Sequence, residues 1–159
     1  MTMETHPLDR YLSEHEFFRG LPTADLELIA GCARTAHFAE GDFLGREEDP
    51  ADLFYVVRSG RVALEIHAPD RGSLVIDTLG EGEIVGISCI FPPYRWRFDA
   101  RAVEPVRAIS IDGACLRGKC DEDPRLGYDL MKRFALVMQA RLQSARLRLL
   151  DIYGHARTG

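Results

Sequence analysis

The chain has no long hydrophobic run, and its apolar stretches are far too short to cross a bilayer. Its start, "MTMETHPLDR", lacks the basic opening and apolar core of a signal peptide, so the expected location is the cytoplasm. Cys32, Cys89, Cys115 and Cys120 include no pair two residues apart, and the five histidines show no ligand spacing. Each cysteine reads as a small buried residue of a reducing compartment, and no metal is expected. Neither a Walker loop nor a G-x-S-x-G elbow occurs. The expectation is therefore a protein that is not an enzyme; a redox protein using Cys115 and Cys120 is the weakest of the readings. No repeat, low-complexity segment or linker divides the sequence.

What is present points to one α+β domain over residues 1–159. Hydrophobic residues make up 46% of the chain, enough to build a core. Residues 1–124 hold 13 basic and 23 acidic side chains, a net of −10; residues 125–159 hold 7 and 2, a net of +5. The basic residues of the tail alternate with leucines, which indicates a solvated helix against an acidic body rather than a nucleic-acid patch. Residues 1–36 read as short helices, with Thr23 as an N-cap and Gly31 as a stop. From His37 the apolar period becomes two, with turns at Gly41, Pro50, Gly60, Gly72 and Gly80-Glu81-Gly82. Short strands at that spacing predict an antiparallel roll, jelly-roll-like, over 37–112. Residues 125–153 predict one long helix.

In order along the chain, several segments resemble the cyclic-nucleotide-binding domains of the catabolite activator protein type. "FFRGLPTADLELIAGCARTAHFAEGDFL" is similar to the leading helices and first strand of that family. "DLFYVVRSGRVAL" is similar to its second hairpin, "LGEGEIVG" to the strand before its phosphate cassette, and "PVRAISID" to its last strand. The helix from Arg125 completes the match, which covers about residues 14–153.

The resemblance implies a ligand pocket in "GEIVGISCIFPPYRWRFDARA", residues 82–102. In the family a turn glycine precedes a glutamate that binds the ribose 2′-hydroxyl. An arginine beyond a short helix pairs with the cyclic phosphate. Carried over, the glycine is Gly86, the glutamate position is Ile87, followed by Ser88, and the arginine position is Trp96. Both polar anchors are thus replaced by apolar side chains. Arg95 and Arg97 flank Trp96, but strand alternation turns them outward and puts Trp96 and Phe98 inside. Only a bulge would bring Arg97 in. The alternatives are a degenerate pocket in a module acting through a protein partner, or a working cyclic-nucleotide or small-anion sensor using backbone amides with Arg95 or Arg97.

A helix-turn-helix follows the long helix in transcription factors of that family. Here only "GHARTG" follows Tyr153, so DNA reading by that route is not expected. Met138, Leu142, Ala145, Leu149 and Ile152 recur at steps of four and three, the seam of a coiled coil, and imply a homodimer. Leu130 and Phe134 are expected to pack on the roll, and some of Leu136, Leu147 and Leu150 to touch the body.

Overall fold

The computed structural model describes residues 7–157. Two short helices, α1 (Pro7–Glu14) and α2 (Thr23–Ala30), lead into eight strands. These are β1 (Ala33–Phe38), β2 (Phe43–Gly45), β3 (Leu53–Ser59), β4 (Val62–Ala68), β5 (Gly72–Leu79), β6 (Ile84–Val85), β7 (Asp99–Ala102) and β8 (Val106–Asp112). A one-turn 3-10 helix, Ile87–Ile90, lies between β6 and β7. Two helices close the chain, α3 (Gly113–Glu122) and α4 (Pro124–Arg157).

The strands form two four-stranded antiparallel sheets, ordered β1-β8-β3-β6 and β2-β7-β4-β5. Together they make the antiparallel roll that the period of two predicts. The core buries Val56, Val62, Leu64, Ala100, Ile109 and Ile111; in β3, β4 and β8 successive residues are buried, and only β7 alternates regularly between buried and half-buried positions. The β3–β4 hairpin turns on Gly60 at φ 93. A side chain there would collide with the backbone of Pro105 and Val106, so the position requires glycine twice over.

Three expectations about local structure are corrected. Thr23 is the first residue of α2 rather than its cap: Asp25 and Leu26 donate to the carbonyl of Pro22 at 3.0 and 3.1 Å. β1 begins at Ala33, four residues before the period changes, because Ala33 to Ala36 carry no large apolar side chain to mark an inner face. Helix α3 was absent from the sequence reading. Gly113 and Gly118 hide its period, although Asp112 caps it by accepting from the Cys115 N–H at 2.8 Å.

The cysteines are also corrected. Cys32 is joined to Cys115 in a disulfide across 83 residues of sequence. β1 pairs with β8 from Ala33 opposite Ile111, and Asp112 donates to the Cys32 carbonyl, so the two cysteines meet where α2 ends and α3 begins. Cys89 (buried) and Cys120 (half-buried) are free thiols. The pair Cys115 and Cys120 therefore does not form a dithiol.

α4 is anchored by its first half. Leu126, Leu130 and Phe134 are buried, and the Phe134 ring lies 4.9 Å from Phe17 and 5.7 Å from Phe54. Buried Asp25 on α2 accepts from Arg125 through both carboxylate oxygens. Further along, Arg141 donates to the Ile84 carbonyl, and Arg148 donates to the Ile76 carbonyl and pairs with Asp77. Ile76 sits at a bulge in β5, which leaves its carbonyl outside the ladder. Leu136, Leu147 and Leu150 are exposed, so none of them packs on the body. Arg133, Val137, Arg141 and Ser144 take the half-buried roll-facing positions instead. Among the described residues no helix is long and apolar enough to cross a membrane.

Candidate functional site

β6 pairs with β3 through Ile84 opposite Val56 and Val85 opposite Tyr55, and it stops at Gly86. Gly86 has φ 92, a left-handed conformation natural to glycine. A β-carbon there would stand 2.9 Å from the Trp96 ring and 3.1 Å from the Leu53 carbonyl. The 3-10 turn that follows buries Cys89 and Ile90 and leaves Ile87 and Ser88 half-buried. Cys89 donates to the Gly86 carbonyl at 3.2 Å and Phe91 to that of Ser88 at 3.3 Å.

Beyond a cis bond between Pro92 and Pro93, the chain is clamped to the loop before β3. Trp96 N–H donates to Asp49 and Glu48 N–H donates back to Trp96, at 3.0 and 2.9 Å. Ala51 donates to Tyr94 at 2.8 Å. Only one isolated bridge, Pro50 to Arg95, forms here, and the strand proper starts at Asp99. The two-residue alternation nevertheless holds. Trp96 is 3% exposed, while Arg95 and Arg97 face solvent.

The Trp96 indole is wedged between Gly45 on β2 and Gly86, with Phe98 edge-on at 6.2 Å. Arg95 is used locally, donating to the Glu48 carbonyl at 2.8 Å. Arg97 makes no ion pair among the described residues. Glu83 is exposed and turned back, accepting from the Gly80 N–H at 2.7 Å. Arg117 of α3 donates to the Cys89 carbonyl and stacks on Tyr94 at 4.1 Å, which ties α3 to the turn. Burial pushes the Cys89 thiol up to about 12, only partly opposed by Arg117, so it is neutral and unreactive at physiological pH. Burial also raises the Tyr55 hydroxyl beside it.

The sequence reading missed Gly45. The signal available was a glycine closing the apolar run "FL" inside a strand, which marks close approach of another group. Among the described residues no cluster of three His, Cys, Asp or Glu could hold a metal.

Two antiparallel sheets closed by a glycine-headed 3-10 turn and a long C-terminal helix define a β-roll binding module. Residues 35–123 match the cyclic nucleotide-binding domain family, and the chain belongs to it. It is 25% identical over 145 residues to the CRP-like cAMP-activated global transcriptional regulator of Mycobacterium tuberculosis, covering 91% of this chain. The chain spans 63% of that regulator's length. A cyclic nucleotide-binding protein from Geobacter metallireducens GS-15 has a similar structure, with TM-score 0.77 and 30% identity over 84% of this chain and 97% of that one. A cAMP-binding acyltransferase from Mycobacterium smegmatis is similar over 70% of this chain and 34% of its own, with TM-score 0.60 and 27% identity. The fold is thus that of a cyclic-nucleotide-binding regulatory module, found beside both a transcriptional and an enzymatic function in similar proteins.

Proposed function

We propose that this chain is a non-enzymatic regulatory module that does not use cyclic nucleotide at Gly86 and that acts, as a homodimer, through contacts with a protein partner. The observation that carries this reading is the placement of Trp96. Its indole fills the position that the resemblance gives to the phosphate-binding arginine, and it rests on Gly86, the turn glycine of the implied pocket. A phosphate there would have to displace a buried aromatic and would meet no arginine in exchange. An arginine–phosphate pair contributes about 1.5–3 kcal/mol, or roughly ten- to a hundredfold in affinity. Ile87, half-buried against the core, offers no acceptor for a ribose hydroxyl.

Support for the dimer comes from α4. Met138, Leu142, Ala145, Leu149 and Ile152 are all exposed, on a helix of 34 residues that is about 51 Å long. An apolar stripe of that length is unusual on a solitary chain and suits a second copy of the same helix.

Calorimetry with cyclic AMP and cyclic GMP on the purified chain tests the pocket. No saturable binding at tens of micromolar is expected. A dissociation constant in the low micromolar range or tighter would overturn the reading and favour the sensor. In that case Arg97→Ala or Arg95→Ala should abolish binding and identify the cation used.

A further inference from the structure

The structure contains a second concavity, and Trp96 is not among its walls. It has a volume of about 430 Å³ and lies between α4, the start of the α1–α2 connection and the β5–β6 turn. Phe17 and Ile84 form one wall, and Leu136, Val137 and Ala140 of α4 form the other. Two arginines, Arg133 and Arg141, reach into it from α4.

The two cations are not equivalent. Arg133 has its counter-ion: it pairs with Asp129 at 3.1 Å and donates to the carbonyls of Phe17 and Arg19 at 2.6 and 2.9 Å. Arg141 donates to one backbone carbonyl, that of Ile84. No carboxylate pairs with it among the described residues. The acids nearest to it are already committed: Glu83 accepts from the Gly80 N–H at 2.7 Å, and Asp77 is held by Arg148 at 2.7 Å. Burial depresses the Arg141 pKa, and these two acids offset that only in part. A guanidinium has five N–H donors, and a half-buried one without a counter-ion is costly. Glu16 and Glu83, the acids of this cavity, are exposed on its rim.

We propose that this cavity is a ligand site for a small amphipathic carboxylate, whose head pairs with Arg141 and whose hydrocarbon body lies between Phe17 and the Leu136–Ala140 face of α4. The planar fork of a guanidinium matches a carboxylate bidentately, and the apolar walls fit an alkyl or aryl body rather than a polar anion. The volume lies within the range of small-molecule sites. Occupancy would fasten α4 to β6, because Arg141 and Ile84 belong to these two elements.

Titration of the full chain with sodium octanoate, followed by ligand-observed NMR, tests this. Octanoate should bind with 1:1 saturation at millimolar concentration or below. 1-Octanol should bind about tenfold more weakly, and sodium phosphate should not saturate. Arg141→Gln should reduce octanoate affinity about tenfold and leave octanol unchanged. Arg148→Gln should change neither. Ala140→Phe, which keeps Arg141 but fills the cavity, should abolish both and keeps the test decisive if Arg141→Gln does not fold. Absence of octanoate saturation, equal binding of octanol and octanoate, phosphate binding as tightly as octanoate, or unaltered octanoate affinity in Ala140→Phe would each overturn the proposal.

Discussion

Trp96 and Gly45 are fitted to one another across 51 residues of sequence: a β-carbon added at Gly45 would stand only 2.0–2.4 Å from three carbons of the indole ring. Gly45→Ala should therefore destabilise the chain by overpacking, by about 1–3 kcal/mol. Trp96→Leu should cost a comparable amount, but the double variant should cost less than the sum, because the smaller side chain leaves room for the methyl group. Urea unfolding of the four proteins measures the coupling. Strict additivity would show that the two residues do not share one space.

The chain has a single tryptophan, which makes its burial directly observable. Emission of the native protein should be blue-shifted and poorly quenched by iodide, then shift red on unfolding. Trp96→Ala should lower stability by about 3–5 kcal/mol. Indole emission like that in water would mean that the ring does not lie between Gly45 and Gly86.

Two buried groups should make stability depend on pH at opposite ends. The Cys89 thiol is raised to about 12 by burial. Between the unfolded value near 8.5 and that folded value, the native state retains a proton that the unfolded chain has lost, so stability falls as pH rises through this window. Cys89→Ala should flatten that decline. His15 is shifted the other way: burial lowers it, and its Nδ1 accepts from the Phe17 N–H at 3.1 Å. Its stabilising contribution is present above the unfolded value near 6.5 and is lost as pH falls below it. His15→Phe should reduce the acid-side loss in melts recorded from pH 7 to pH 5.

The disulfide should be countable and costly to remove. Alkylation of the unfolded, unreduced chain should tag two cysteines, Cys89 and Cys120, and four after reduction. An 83-residue loop corresponds to about 4–5 kcal/mol of stabilisation in the chain-entropy account, so Cys32→Ala should lower the urea midpoint markedly. Four alkylated thiols without reduction would contradict the bond.

For α4, sedimentation should give twice the mass of 17.9 kDa, and Leu142→Asp with Leu149→Asp should give a folded monomer. A wild-type chain that sediments as a monomer at tens of micromolar would remove the dimer from the proposed function.

Much of this was legible in the sequence because it is local. The switch from helical period to period two located the roll, and simple alternation placed Trp96 inside and Arg95 and Arg97 outside. What was not legible depends on partners distant in sequence. Gly45 is recognisable as a cradle only once Trp96 is set against it. Cys32 and Cys115 become neighbours only through the pairing of β1 with β8. The half-buried face of α4 could not be told from its exposed seam by spacing, since leucines occupy nearly every side of its second half. Arg141 and Arg148 touch the roll, yet in sequence they are two more basic residues of a tail whose pattern indicates a solvated helix.

The bond between Cys32 and Cys115 also sets a path for mechanical load. Every strand, from Ala33 to Asp112, lies inside the covalent loop, and α4 lies outside it. If the chain is pulled through α1 and α4, tension crosses from residue 32 to residue 115 through the two sulfurs. The sheets between them stay slack, so the roll, with Trp96 inside it, would keep its shape while the helices on either side were drawn out.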